Sequence, residues 1–152
     1  LNSAIFTDKN LIEEAIKIYG SQSIVASLDV KKDIWGNYKL YSNSGKKKQN
    51  LSLDACIQLI QEIGFGELVI NSIDKDGTML GYDLELIEKV SSMLNIPVVA
   101  VGGAGSISDI VKGLKAGASA LAAGSMFVFQ GVHKAVLISY ITTDQLEQEL
   151  KE

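Results

Sequence analysis

The fold is decided by two glycine-rich turns, VAVGGAGS at residues 99–106 and ALAAGSMF at residues 120–127. Each turn follows a short apolar run and precedes a stretch with helical spacing. A strand that runs through glycines into a helix start presents free backbone N–H groups to an anion such as phosphate. Since two such turns on neighbouring strands can hold one phosphate between them, the pair predicts a phosphate-binding site.

The runs before these turns belong to a pattern that occurs four times. A glycine or asparagine ends a helix, an apolar run follows, and polar or glycine residues close it. The runs do not alternate apolar with polar residues, which is typical of parallel strands buried on both faces. With helical patterns between them, they predict an α/β protein. The four runs are SIVASLD (23–29), ELVINSID (67–74), IPVVAVGG (96–103) and SALAAGS (119–125).

Two long connections follow the first two strands. Residues 31–50 are too long for an ordinary strand-to-helix loop, and Tyr38, Leu40 and Tyr41 indicate a small hairpin or lid. Residues 74–83 form a second, shorter insertion. Ligand sites of α/β folds lie at the carboxyl ends of the strands, where both insertions occur. The insertions are therefore either substrate covers or surface decoration.

Composition and charge argue against several classes of function. The 152 residues are 47% hydrophobic, enough for one compact domain, and the net charge of −4 disfavours nucleic-acid or membrane-surface binding. The single cysteine allows no intrachain disulfide, and the single histidine, His133, disfavours a multi-histidine metal site. Without a signal-peptide pattern or an apolar stretch of transmembrane length, the sequence predicts a cytoplasmic protein.

The acidic residues at two strand ends are the candidates for chemistry. Asp29 closes the first run, where a carboxylate either acts as a general acid or base or caps a turn. The second run ends in INSIDKDGTMLGYD (70–83). A calcium-binding loop is excluded there by the position of Gly77 and the lack of a closing acid. A haloacid-dehalogenase phosphatase uses a similar DxDGT motif, but it also needs a later acidic pair that this chain does not offer.

A third interpretation places the DKDGT segment in the same site as Asp29. Asp76 then faces Asp29 across the site as a second carboxylate. Thr78 and Asn71 are its hydrogen-bonding partners in this arrangement. Two facing carboxylates fit a reaction that needs an acid and a base.

The first residues, LNSAIF, have the pattern of the end of a strand. Four parallel strands with their helices make only half of a closed barrel, and the exposed strand edges need a cover. Either a second copy of the chain covers them, or the chain is the carboxyl-terminal half of a longer polypeptide. The sequence favours the longer polypeptide.

Five segments together resemble one known family, the cyclase subunit of imidazole glycerol phosphate synthase. The resemblance covers nearly the whole chain, in the family's order and with similar gaps. It implies a phosphate-binding (β/α)8 TIM barrel in which residues 1–152 form the carboxyl-terminal half, from the end of strand four through helix eight. The segments are LNSA (1–4), GSQSIVASLDVK (20–31), NSIDKDGTMLGYD (71–83), VGGAGS (101–106) and AAGSMF (122–127).

The resemblance also implies a reaction and its partners. A glutaminase subunit supplies ammonia through the barrel. The cyclase splits a phosphoribulosyl formimino-carboxamide nucleotide, giving imidazole glycerol phosphate and an aminoimidazole carboxamide ribotide. Two carboxylates act as acid and base; Asp29 matches the one from strand five, and the other lies on strand one, outside this chain. The half alone is therefore expected to be inactive. No cofactor and no metal are implied.

Site residues follow from the same resemblance. The implied substrate-binding positions are Asn2, Gln22, Asn71, Asp76 and Thr78, and the implied phosphate-binding positions are Gly102, Gly103, Gly124 and Ser125. A side chain at Gly103 is expected to block the approach of the phosphate to backbone N–H groups. The second substrate phosphate is expected to bind the missing half.

Two departures from the family pattern leave the substrate open. Asn71 occupies a position where a threonine is expected, and the tail FVFQGVHKAVLISY (127–140) is similar to a paralogous branch found with surface-polysaccharide genes. In that branch a cyclase-like barrel channels ammonia for sugar amidation. The sequence therefore predicts a cyclase of histidine biosynthesis, with a sugar-amidation subunit as the alternative and a haloacid-dehalogenase phosphatase as a distant one.

Overall fold

A computed structural model describes residues 1–131, 133 and 135–151. The predicted domain 1–152 and the tail 127–140 therefore extend in part outside the described residues. The helices are α1 (Ala4–Thr7), α2 (Lys9–Tyr19), α3 (Leu53–Ile63), α4 (Leu84–Met93), α5 (Ile107–Lys115), α6 (Ser125–Val128) and α7 (Thr143–Lys151). The strands are β1 (Val25–Lys32), β2 (Tyr38–Ser42), β3 (Lys47–Ser52), β4 (Glu67–Ser72), β5 (Val98–Val101), β6 (Ala120–Ala122), β7 (Phe129–Gln130) and β8 (Ala135–Val136).

The main sheet has six strands in the order β3-β2-β1-β4-β5-β6. Strands β1, β4, β5 and β6 are parallel and lie side by side in chain order, with α3, α4 and α5 in the connections between them. Four parallel strand–helix units of this kind are half of an eight-stranded barrel. The prediction of an α/β fold of half-barrel size is confirmed. Strands β7 and β8 form a separate antiparallel pair.

The two faces of the parallel sheet differ in burial. Ala26, Leu28 and Val30 of β1 are at most 1% exposed and belong to the core that α2, α3 and α4 cover. Ser27 and Asp29, which point to the other face, are only half-buried. We call this other face the open face. The sequence predicted strands buried on both faces, but within the described residues the helices cover only one of them.

Local signals in the sequence explain where the helices begin and end. Asp8 accepts a hydrogen bond from the Leu11 N–H at 3.0 Å and begins α2, and Ser106 caps α5 in the same way. Thr142 accepts from the Gln145 N–H at 3.3 Å ahead of α7. Gly64 ends α3 in the left-handed conformation, with φ of 84°. No helix among the described residues is both long enough and apolar enough to span a membrane.

The start of the chain differs from the expected strand end. Only Leu1 pairs with β1: its amino group donates to the Val25 carbonyl at 2.6 Å, and its carbonyl accepts from the Ser27 N–H at 2.8 Å. The chain then turns into the short helix α1. This turn places Ile5, which is 5% exposed, in the core. The burial of this apolar side chain favours ending the strand at Leu1.

The predicted hairpin is present as β2 and β3, which extend the sheet beyond β1. Leu40 anchors it in the core, and the Tyr38 hydroxyl donates to Asp83 Oδ1 at 2.9 Å, at the start of α4. Lys32 Nζ lies 2.7 Å from Glu85 Oε2 and 4.8 Å above the Tyr38 ring. The hydrogen bond to Glu85 is the main cause that raises the pKa of Lys32. These contacts therefore attach the base of the hairpin to the start of α4.

Cys56 lies in the core on α3 and is 0% exposed. Burial raises the pKa of its thiol to about 12, because the low-dielectric interior disfavours the thiolate. Only the thiolate is a good nucleophile, so the folded protein should protect this group. The cysteine is therefore a packing residue.

Iodoacetamide at pH 8 is expected to leave Cys56 unlabelled in the folded complete protein and to label it fully in urea. A cysteine introduced by Ala55→Cys is the matched control, since Ala55 is the exposed neighbour on the same helix. The introduced thiol should react without denaturant. Mass spectrometry of the peptide that carries both positions measures the labelling. Equal rates at both positions would contradict the packing role.

Candidate active site

The centre of the candidate site is the Asp29 carboxylate, held by two side-chain amides. Asn71 Nδ2 donates to Asp29 Oδ1 at 3.0 Å, and Asn2 Nδ2 donates to Asp29 Oδ2 at 3.3 Å. Asp29 and Asn71 are register partners in the parallel pair of β1 and β4, so both side chains lie on the open face. A carboxylate held by amides at the carboxyl end of a strand favours an acid or base role over a turn cap.

The side-chain oxygen of Asn71 lies in an unusual environment. Asn71 Oδ1 is buried and has no hydrogen-bond partner among the described residues. A buried acceptor without a partner costs about 1–3 kcal/mol. The nitrogen faces Asp29 because an ionised carboxylate only accepts hydrogen bonds, and the oxygen is thereby directed away from it. A Cβ atom on Gly102 would lie 3.1 Å from this oxygen, so glycine at 102 leaves room for the amide.

The two glycine turns line one small pocket at the carboxyl ends of β5 and β6. Gly102 and Gly103 form one wall, and Gly124 and Ser125 form the other. The structure therefore brings together the four positions predicted to bind phosphate. Asp76 also lines this pocket. The sequence had placed Asp76 opposite Asp29 across the site, whereas the structure places it against the glycine turns.

The glycines of these turns serve different purposes. A Cβ on Gly103, whose φ is 110°, would collide with the Gly81 carbonyl oxygen. The same two residues are joined by a hydrogen bond from the Gly81 N–H to the Gly103 carbonyl at 2.8 Å. Gly103 is therefore required for packing against the 74–83 loop, which is a second reason for glycine at this position beside the predicted access of phosphate. At Gly124 a Cβ would meet no heavy atom within 4 Å.

The 74–83 loop is held by its own polar side chains. The Thr78 hydroxyl donates to the Lys75 carbonyl at 2.7 Å and accepts from the Leu80 N–H at 3.3 Å. Asp74 Oδ2 accepts from the Lys32 N–H at 2.8 Å, which joins the loop to the end of β1. Thr78 thus stabilises the loop from within, although the sequence had placed it among the substrate contacts.

Gln22 lies at the wrong end of the sheet for the role that the sequence gave it. It belongs to a short 3-10 turn, residues Ser21–Ser23, which precedes β1. Asp29 and Asn71 lie near the carboxyl ends of their strands, so Gln22 is on the opposite side of the sheet. Gly66, which precedes β4, packs against it: a Cβ there would lie 2.6 Å from Gln22 Cα. The structure does not bring Gln22 together with Asp29.

Sequence reasoning gave no site role to Tyr41, which the structure places beside Asp29. The two residues are register partners in the antiparallel pair of β1 and β2, so their side chains share the open face. Lys48 of β3 is the register partner of Tyr41. The sequence signal was the aromatic pattern of the hairpin, but Tyr41 faces the site because of the register of β2 on β1, which the pattern alone does not give.

A tight turn in the hairpin also approaches the site. Residues 43–45 all have positive φ, from 53° to 76°. Ser3 Oγ donates to Asn43 Oδ1 at 3.1 Å on one side. On the other side a Cβ on Gly45 would lie 3.4 Å from Ile73 Cδ1, just past the end of β4. The turn therefore crosses β1 on the open face, near Asp29.

Substitutions at two glycines should separate phosphate binding from loop packing. In the complete protein, Gly124→Val is expected to weaken phosphate binding at least tenfold, since the new side chain enters open space in the pocket. The urea unfolding midpoint of Gly124→Val should stay that of the wild type, because a Cβ at Gly124 meets no heavy atom within 4 Å. Gly103→Ala should lower the free energy of unfolding by about 1–3 kcal/mol, because of its positive φ and the contact with Gly81.

Calorimetric titration with inorganic phosphate and urea unfolding measure the two effects. Unchanged phosphate affinity in Gly124→Val would show that phosphate does not bind in this pocket. An unchanged unfolding midpoint in Gly103→Ala would contradict the packing role of Gly103.

Comparison with known proteins places this geometry in a family. A family model described as "Histidine biosynthesis protein" matches residues 1–134. A Pseudomonas aeruginosa protein provisionally named imidazole glycerol phosphate synthase subunit hisF2 is 42% identical over 148 residues, covering 97% of this chain and 59% of that protein. A Petrotoga mobilis protein named imidazole glycerol phosphate synthase subunit HisF is 39% identical over 136 residues, covering 89% and 54%. A Vibrio vulnificus protein provisionally named subunit hisF3 is 40% identical over 156 residues, covering 99% and 59%.

These matches bear directly on the alternatives that the sequence left open. The names of these relatives favour the synthase subunit over the sugar-amidation subunit and over the phosphatase. The chain spans between half and two thirds of the length of these relatives. The chain belongs to the histidine biosynthesis protein family, and within it the chain is similar to the HisF subunits of imidazole glycerol phosphate synthase.

Proposed function

We propose that this chain is the carboxyl-terminal half of a cyclase subunit of imidazole glycerol phosphate synthase. The complete subunit uses ammonia from a glutaminase partner to convert the phosphoribulosyl formimino-carboxamide nucleotide into imidazole glycerol phosphate and an aminoimidazole carboxamide ribotide. The observation that carries the proposal is Asp29, fixed by two amides on the open face beside two glycine turns that share a pocket.

Asp29 supplies one of the two proton-transfer groups in this proposal. Its carboxylate takes a proton from, or returns one to, the substrate atoms above the open face. The amides of Asn2 and Asn71 hold both oxygens, so a lone pair is presented in a fixed direction. The opposing carboxylate belongs to the first strand of the barrel, in the other half. Positioned acid and base groups of this kind accelerate a reaction about 10²–10⁴-fold each.

The glycine turns fix the other end of the substrate. Their backbone N–H groups bind a phosphate at the carboxyl ends of β5 and β6, which lie two and three strands away from β1 in the sheet. A substrate anchored there extends across β4 toward Asp29. When a distant phosphate group is bound, part of its binding energy is used to orient the reacting atoms of the substrate.

Ammonia reaches this site, in the proposal, through the interior of the completed barrel from the amino ends of the strands. The open face forms half of that interior. Below Asp29 and Asn71 it carries Ser27, Val69 and Val99, which are uncharged side chains, and Glu67 lies on the same face at the amino end of β4. The uncharged section between Glu67 and Asp29 admits ammonia in its neutral, reactive form. We place the enzyme in the cytoplasm, where the sequence predicts it.

The half-barrel arrangement has a test of its own in the complete protein. Val99 on the open face is half-buried here and should be fully covered once the barrel closes. A cysteine introduced by Val99→Cys is therefore expected to resist alkylation by iodoacetamide. Glu88→Cys, on the exposed side of α4, is the control that should react quickly. Equal reactivity at the two positions would rule out barrel closure over this face.

The catalytic proposal is tested by ammonia-dependent turnover in the complete protein. Asp29→Asn should lower kcat about 100-fold or more while KM changes little, since the amide keeps the shape but cannot exchange the proton. Asp8→Asn is the matched control, because asparagine caps a helix as well as aspartate does. Ring closure is followed by chromatography of both products. A wild-type protein that folds and binds phosphate but forms neither product would refute the proposed function.

A further inference from the structure

We infer that Asn71 is a positioning residue for Asp29: it fixes the orientation of the carboxylate and makes no essential contact with substrate. The inference rests on the proposed function, in which Asp29 transfers the proton. It also revises the substrate-binding role that the resemblance implies for Asn71. Three observations on the open face carry it.

The first observation is that the donor group of Asn71 is directed at Asp29. The distance from Asn71 Nδ2 to Asp29 Oδ1 is 3.0 Å, shorter than the 3.3 Å of the Asn2 contact. The two residues are direct register partners on adjacent parallel strands. Both ends of this hydrogen bond are therefore held by the sheet itself, which makes the contact rigid.

The second observation is that the acceptor group of Asn71 is withdrawn from any ligand. Asn71 Oδ1 is buried without a partner among the described residues. It lies toward Gly102, where a Cβ would come within 3.1 Å of it. An oxygen placed to contact a substrate would be exposed on the open face, whereas Asn71 Oδ1 is buried. Of the Asn71 side-chain groups, only the second hydrogen on Nδ2 is free to donate to another acceptor.

The third observation is that the two amides donate to different oxygens of the Asp29 carboxylate. Asn2 holds Oδ2 and Asn71 holds Oδ1, from opposite sides of β1. Asn2 lies outside the regular strands, on the turn that leads into α1. Asn71 lies within a regular strand. The rigid half of the clamp is therefore Asn71, and its loss should let the carboxylate rotate.

Steady-state kinetics on the complete protein distinguish positioning from substrate binding. Asn71→Ala is expected to lower kcat by about 10- to 100-fold, since a small misplacement of a catalytic group has that effect. KM should stay within about threefold of the wild type. Asn71→Thr, which keeps one donor, should recover part of the lost kcat. Asn95→Ala removes an exposed asparagine at the other end of the sheet and is the matched control. A raised KM with unchanged kcat in Asn71→Ala would overturn the inference.

A double-mutant cycle tests whether Asn71 acts through Asp29. If it does, Asp29→Asn combined with Asn71→Ala should turn over at the rate of Asp29→Asn alone, within about threefold. A further tenfold loss in the double variant would show that Asn71 acts on the substrate independently. That result would overturn the inference while leaving the role of Asp29 intact.

A crystal structure of the complete Asn71→Ala protein tests the inference without turnover. The Asp29 carboxylate is expected to rotate away from its wild-type orientation, with Asn2 as its remaining amide contact. An unrotated carboxylate would overturn the positioning role. If the wild type itself forms no product, the proposed function fails, and this structural comparison still decides the role of Asn71. Asn71→Val, which has no donor and suits a strand, serves in the same comparison if Asn71→Ala does not fold.

Discussion

The parallel register between β1 and β4 is the constraint on which the rest of the site depends. Ala26, Leu28 and Val30 must face the helices to be buried, and this fixes Asp29 on the open face. Side chains alternate along a strand, so a slip of one residue would move the carboxylate into the apolar core. Burying an unpaired charge there is very costly. Core packing therefore determines the position of the candidate catalytic group.

The connections after the strands are attached to this sheet by a few partly buried contacts. Tyr38 joins the hairpin to α4 through Asp83, and burial raises the pKa of its hydroxyl, so the hydroxyl remains a donor. Asp74 joins the 74–83 loop to the end of β1. The more exposed ion pairs nearby contribute little, as surface pairs do in general. Rigid strands and anchored loops together give the site its geometry, and Gly103 extends that anchoring to the phosphate pocket through Gly81.

The features that the sequence predicted correctly are those with local causes. Apolar runs predicted the parallel strands, and the glycines before them marked helix ends, as Gly64 does for α3, because a left-handed turn involves only neighbouring residues. Positions that depend on distant contacts were missed. Thr78 was placed in the site, yet its hydroxyl bonds within its own loop. Tyr41 was not placed there, because its direction depends on the register of β2 on β1, which the pattern of the hairpin alone does not give.

Residues of the same type also have different roles that only their surroundings reveal. Gly103 and Gly124 appear in similar strand-to-helix turns, and the sequence gave both the same phosphate role. A Cβ at Gly103 would strike a backbone carbonyl, whereas one at Gly124 would enter open space. The same holds for Gln22, whose polar side chain suited a binding site. Its place before β1 puts it at the amino end of the sheet.

The topology of the sheet argues for how the open face is covered. Crossovers between parallel strands are almost always right-handed, so strands that follow one another in a single direction place all their helices on one side. Strands β1, β4, β5 and β6 follow one another in this way without reversal. A second helical layer would require a reversal of strand order, as in doubly wound sheets. Further strands, from the same polypeptide or from a second copy, cover Val69 and Val99 if they continue the sheet until it closes on itself. Closure of that kind places the other half of the barrel directly opposite Asp29, where the mechanism needs the second carboxylate.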